Sequence, residues 1–173
     1  MKYCTECGSP LRTHTPECDD RERLVCSECA HVHYCNPRVI VSCVAEHEGR
    51  ILLGRRAIEP CAGSWGLPGG YLENDETTDP AVSRECREET GVQIRVESLM
   101  RLFTLTERQE VHTVYAATVL VPSLQCGHEC LEVRFFRPAD IPWRGIAYPG
   151  VVDLLVQYLG ECSVQSPPSE ELG

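Results

Sequence analysis

A mixed α/β layer structure in which strands dominate, preceded by a small cysteine-built unit, is the fold class this sequence predicts. Three observations lead there. Beyond residue 36 the chain carries several β-rich runs and only two helical patterns, which is not the strand–helix–strand alternation of a parallel array. Two C-x2-C pairs fall within the first 35 residues, a stretch with too few apolar side chains to build a core of its own. Between these regions of contrasting composition lies Asn36-Pro37, a natural break.

The totals narrow the classes of function. A chain of 173 residues suggests one domain of ordinary size, or one plus a small appendage, and 42% hydrophobic content suffices for a real core. No run of 18 apolar residues marks a membrane span, and the opening MKYCTECG has no apolar core of a secretory signal. The net charge of −10 argues against binding nucleic acid through bulk electrostatics. A phosphate compound can still bind if a divalent cation bridges the two. Twelve cysteines without a signal peptide favour metal ligation over disulfides, and hence a reducing, cytoplasmic setting.

Taken in order, the first element spans residues 1–35. Cys4 and Cys7 are separated from Cys26 and Cys29 by 18 residues, the spacing of a zinc ribbon. Two residues between thiolates make a tight knuckle, so both sulfurs reach one tetrahedral Zn²⁺ at roughly 2.3 Å. Gly8 supplies permissive backbone after the first pair. Cys18, Cys35, His31 and His33 lie nearby and could each replace a ligand, but each alone reads as a surface or packing residue. The ribbon could be structural, pack on the next domain, or help form a homodimer.

The second domain is expected over residues 36–160. Asn36 to His47 reads as a strand, and GRILLGRRA after the Gly49 turn as its hairpin partner. EPCAGSWGLPGG is a loop with a short strand at Trp65–Leu67. Asp79 as N-cap and Pro80 at the first helical position start a helix running to about Thr90, with Gly91 at its C-terminal turn. VQIRVESLMRLFTL, VHTVYAATVLV and EVRFFRP are β-rich. PGVVDLLVQYLG forms a second helix with Val151, Leu154, Leu155 and Tyr158 or Leu159 on one face. The Pro/Ser/Glu-rich residues 161–173 are expected to be a disordered tail.

The first of these helices carries the chemistry. Glu85, Glu88 and Glu89 fall within a sector of roughly 100°, with Glu85 and Glu89 one turn apart. Val82 and Cys86 border that sector and anchor it to the core, and Arg84 is placed to pair with Glu88. Crowded carboxylates suit a hard cation, Mg²⁺ or Mn²⁺, which keeps waters and leaves room for a substrate phosphate. A solvated acidic helix face, with Arg84 as a surface partner, is the plainer alternative.

The spacing extends well beyond the helix. Gly70, five residues, Glu76, seven residues, then Arg84-Glu85-Cys86-Arg87-Glu88-Glu89-Thr90-Gly91-Val92 matches the Nudix box, G-x5-E-x7-R-E-U-x-E-E-x-G-U, with U a bulky apolar residue. Cys86 takes a U position usually held by an aliphatic residue, a mild departure because cysteine behaves as a small hydrophobe. On these residues the chain resembles a Nudix hydrolase. The resemblance implies an α/β/α sandwich with a mixed sheet, and hydrolysis of a nucleoside diphosphate linked to a group X. It implies Glu85 and Glu89 as metal ligands, Glu88 as ligand or base, the Gly69 carbonyl completing the shell, and Arg84 and Glu76 orienting the cluster. For a general base outside the box it leaves Glu129 and Glu132, with Glu132 ahead because it begins a strand.

Further segments, HYCNP, RRAIEP, WGLPGGYLE, LEVRFF, IPW and IAYPGVV, are similar to zinc-ribbon Nudix proteins associated with FAD or ADP-ribose pyrophosphohydrolysis. Gly69 and Tyr148 stand where that subgroup often has Ala and Phe. In such a protein Arg55, Arg56 and Glu59 would contact nucleotide or phosphates, while Trp65 and Tyr148 would stack on a ring. The SQPWPFPxS-type motif of zinc-ribbon NADH pyrophosphatases is absent, which disfavours NADH. Two rivals stand beside the enzyme reading: a non-catalytic binding module, which the intact box opposes, and an RNA-cap hydrolase, which the acidic charge opposes.

Overall fold

The computed structural model describes residues 1–165, with side chains described through Gly160. The chain divides into two compact units, Met1–Pro37 and Arg38–Gly173.

The first unit is a three-stranded antiparallel sheet, β1 (Leu11–His14), β2 (Arg23–Cys26) and β3 (Val32–His33), in that spatial order. Its buried residues are few: Cys4, Val25, Cys26 and His33. Gly8 adopts φ 75° and closes the first knuckle by donating its N–H to the Cys4 carbonyl at 3.0 Å. The second knuckle begins where β2 ends.

The second unit contains β4 (Arg38–His47), β5 (Arg50–Arg56), β6 (Trp65–Gly66), β7 (Gly69–Tyr71), α1 (Thr78–Thr90), β8 (Gln93–Leu105), β9 (Glu110–Val121), β10 (Cys130–Phe136) and α2 (Pro149–Gln165). One sheet runs in the order β10-β5-β4-β9-β8, with β6 added to β5 and β7 to β4. β4 and β9 pair in parallel while the other pairs are antiparallel, so the sheet is mixed.

Side-chain alternation along the central strands fills both faces. Val41, Cys43, Ala45 and Leu52 join Ala81, Val82 and Cys86 of α1 in one buried cluster. Val44, Ile51 and Leu53 join Leu154 and Leu155 of α2 in the other, with Val151, Tyr158 and Leu159 packed at its margin. A helix on each face of a mixed sheet is an α/β/α sandwich.

Several boundaries differ from expectation. Helix α1 begins at Thr78 with Thr77 as N-cap, two residues before the expected start. Proline lacks only an N–H that is unpaired throughout the first helical turn, so Pro80 fits at the third position as readily as at the first. Asp79 then lies inside the first turn, where its charge favours the positive end of the helix dipole. At the other end Gly91 has φ 76° and donates to the Arg87 carbonyl at 2.8 Å. The strand at Trp65 is only two residues long. Helix α2 reaches Gln165, and the remainder of the expected tail lies outside the described residues. Among the described residues no helix is long and apolar enough to cross a membrane.

Candidate active site and cysteine cluster

Cys4, Cys7, Cys26 and Cys29 bring their sulfurs within 4.8 Å of one another, the one group of three or more ligand-type side chains so gathered among the described residues. Cys4 and Cys29 are 3.7 Å apart, Cys7 and Cys26 3.4 Å, and Cys7 and Cys29 3.6 Å. Four thiolates around one Zn²⁺ would stand about 3.8 Å apart by tetrahedral geometry, so the set fits that ion. Backbone N–H groups of Glu6 and Cys29 already point at the Cys4 and Cys26 sulfurs, each at 3.4 Å. His33 is buried with Nε2 at 3.4 Å from the Cys4 sulfur, so it contacts the cluster without belonging to it. Cys18, Cys35 and His31 are exposed and outside the group.

In the second unit, Arg84 organises the carboxylates. Its Nε and Nη2 donate to the two Glu76 oxygens at 3.0 and 2.6 Å, a fork-on-fork pair. Its Nη1 donates to Glu85 at 2.7 Å and to Glu88 at 3.3 Å, and Nη2 also reaches the Tyr71 carbonyl at 3.1 Å. Arg84 therefore holds three carboxylates, where sequence spacing indicated only Glu88. Glu76 in turn accepts the Glu73 N–H at 3.0 Å, and Arg84 keeps its carboxyl below the usual range.

Glycines make room for the glutamates. A Cβ on Gly70 would come within 2.5 Å of the Glu85 carboxylate, and one on Gly69 would strike the Val41 carbonyl and Ser42. The Gly69 N–H donates to Glu89 Oε2 at 2.9 Å. Burial pushes the Glu89 carboxyl up to about 7; the Gly69 N–H opposes the rise, and the charges of Glu85 and Glu129 add to it. Burial also raises Glu85, against the pull of Arg84. Glu88 is more open, its side chain 54% exposed. Buried carboxylates whose ionised form is disfavoured by burial and by one another offer hard oxygen donors to a divalent cation.

The second acidic element comes from the segment before β10. Gln125 N–H donates to the Thr90 carbonyl at 2.8 Å and Gly127 N–H to the Glu89 carbonyl at 2.9 Å, so this loop satisfies carbonyls at the C-terminus of α1. A Cβ on Gly127 would collide with the Glu88 carbonyl. The docked loop carries Glu129, whose charge reaches both Glu85 and Glu89. Glu132 is exposed and pairs in register with Arg55, on the strand face opposite Val133, which packs toward α1. The reason for placing Glu132 ahead, that it begins a strand, does not hold: β10 begins at Cys130, and a bulge falls between Cys130 and Glu132.

The expected substrate contacts separate in the same way. Arg56 acts on Glu89 through its charge, donates Nε to the Pro60 carbonyl at 3.0 Å, and lies 6.0 Å from the Tyr148 ring centroid. Arg55 is exposed and bonds the Gly63 carbonyl at 2.9 Å, and Glu59 is an exposed loop residue. Trp65 does not join the glutamates. It packs into the α2-side cluster, edge-on to Phe136 with centroids 4.8 Å apart, because its short strand pairs with β5 and presents the ring to that face. Arg108, which sequence reasoning passed over, lies 5.3 Å from the Tyr148 ring. It follows β8 in a 3-10 turn and carries no local motif.

The NUDIX domain family matches residues 36–154, and the Nudix N-terminal zinc-ribbon family matches residues 2–35. A NUDIX hydrolase crystal structure from Nitrosomonas europaea superposes with a TM-score of 0.92 at 37% identity, covering 96% of this chain and 95% of that one. An ADP-ribose pyrophosphatase of Methanocaldococcus jannaschii is 34% identical over 113 residues, 63% of this chain and 67% of the relative. An NAD-capped RNA hydrolase, NudC, of Stutzerimonas stutzeri is 29% identical over 146 residues, 82% of this chain but only 50% of that protein. The chain is a member of the Nudix hydrolase family, with that family's N-terminal zinc ribbon ahead of the hydrolase domain.

Proposed function

We propose that the chain hydrolyses the diphosphate of an ADP-containing dinucleotide, ADP-ribose or FAD, with Mg²⁺ or Mn²⁺. The observation that carries this reading is the pairing of a buried Glu89, held by the Gly69 N–H, with Glu85 on the same helix face, held by Arg84. In this reading Glu85 and Glu89, with the Gly69 backbone, hold the cation, and Glu88 contributes from the open side. The bound ion screens the diphosphate and stabilises charge on the leaving phosphate.

The chain's own groups do the rest. Arg84 and Glu76 fix the rotamers of Glu85 and Glu88, so no reorganisation accompanies reaction. Glu129, an acidic residue outside the box whose charge reaches both Glu85 and Glu89, accepts the proton of the attacking water. Water adds to one phosphorus, the P–O–P bridge breaks, and two phosphate monoesters leave. Arg56 faces the phosphates beside Glu89. Zn²⁺ in the cysteine cluster has a structural role. The ADP-ribose pyrophosphatase among the relatives supports the substrate class.

A nicotinamide dinucleotide, free or as an RNA cap, is the second reading, favoured by the similarity to NudC over 82% of this chain. A phosphate-release screen over ADP-ribose, FAD, NADH and dinucleoside polyphosphates, with each cation, tests both. Turnover highest with ADP-ribose or FAD is the expected result. Highest turnover with NADH transfers the assignment to the second reading, and no turnover on any compound overturns catalysis.

A further inference from the structure

Four arginines of the described residues are half-buried, where the desolvation of a cation has to be offset. Arg23 and Arg84 each have a carboxylate partner, Asp19 at 2.9 Å and Glu76 at 2.6 Å. Arg56 and Arg108 are equally half-buried and have no carboxylate within ion-pair distance among the described residues. Both instead converge on one side chain, their guanidinium carbons 6.0 and 5.3 Å from the Tyr148 ring centroid. Arg56 spends Nε on the Pro60 carbonyl, which aims the guanidinium and leaves its terminal nitrogens available. Glu110, the acid nearest in effect to Arg108, is already engaged by Arg38 at 2.9 Å and His112 at 3.0 Å.

Two half-buried cations share one aromatic ring in a chain of net charge −10, and neither is in a salt bridge among the described residues. We propose that Arg56, Tyr148 and Arg108 form a cationic cradle that takes a phosphate group of the substrate, with Arg108 a binding residue that raises affinity for phosphate-bearing ligands. The proposal rests on the nucleotide-hydrolase reading above and extends the site from the glutamates to Tyr148 and Arg108. Arg56 links the two, since its charge also reaches Glu89. The planar forks of both arginines suit phosphate oxygens, and the tyrosine ring keeps them from solvent without neutralising them.

The competing role for Arg108 is a clamp on the segment that enters α2, through its hydrogen bond to Tyr148. ADP binding, measured calorimetrically in EDTA on the full chain, separates the two. R108Q is expected to weaken ADP binding about tenfold and to raise KM for ADP-ribose similarly, with kcat within about twofold. R108K should recover part of the affinity. Unchanged ADP affinity in R108Q overturns the cradle, as does a lowered melting temperature with KM unaltered. If R108Q does not fold, Y148F replaces it, removing only the hydroxyl that Arg108 contacts; about threefold weaker ADP binding upholds the cradle, and wild-type affinity overturns it. Should the wild type hydrolyse nothing while R108Q still loses ADP, the cradle stands and the hydrolase reading falls.

Discussion

Replacing Glu89 with glutamine keeps an acceptor for the Gly69 N–H while removing a charge that burial already disfavours. The variant is expected to lose kcat by on the order of 10² or more, because a ligand of the catalytic cation is gone. Its melting temperature without metal should hold or rise, since crowding with Glu85 and Glu129 is relieved. Wild-type turnover in E89Q, assayed with Mg²⁺, would return the helix to a plain acidic face. Glu129 and Glu132 offer a second comparison at this scale. E129Q should lower kcat by about 10² or more, within the usual range for a general base, whereas E132Q should stay near wild type. The reverse order in a steady-state assay would restore Glu132. At single residues, then, the box glutamates were legible because their spacing on one helix is local. The approach of Glu129 to the glutamates was not, since it depends on where a loop docks, nor was that of Arg108 to Tyr148, which joins a turn after β8 to the segment before α2.

At the scale of elements, the C-terminal half of α1 is held by two pieces of chain it does not neighbour in sequence. Gly69 and Gly70 of β7 lie against its glutamates, and the loop through Gly127 satisfies the carbonyls of Glu89 and Thr90. G127A places a methyl group against the Glu88 carbonyl, so the loop must lift. A loss of about 1–3 kcal/mol in denaturant unfolding is expected, with kcat falling as Glu129 withdraws. Unfolding free energy and kcat both equal to wild type would show that the loop does not brace the helix. On the opposite face, L155A removes a fully buried side chain beneath α2 and should cost about 2–5 kcal/mol. Helix α1 and the strands were readable from periodicity and turn residues. Its first residue was not, because proline is tolerated anywhere in an opening turn.

Considered whole, the chain pairs a hydrolase domain having a two-faced core with a unit whose buried set is little more than two cysteines, a valine and a histidine. Metal must supply what that small unit lacks in apolar area. Elemental analysis should find about one zinc per chain, and C4S should lose it and leave residues 1–37 open to proteolysis. A zinc-free wild type with an intact, protease-resistant N-terminal unit would remove the metal from the account. The division into two units was visible in composition, whereas the strand order of the larger one was not, because pairing partners are remote. Arg38 of β4 bonds Glu110 of β9 across 72 residues, and β5 waits for β10 to cover its free edge. A ribosome that has just finished the box has therefore made all its glutamates but neither the strand that fixes β4 nor the loop that seats Glu129. A chain ending before Cys130 would carry the whole motif without the strand that covers β5, so the glutamates alone do not specify the sheet that seats them.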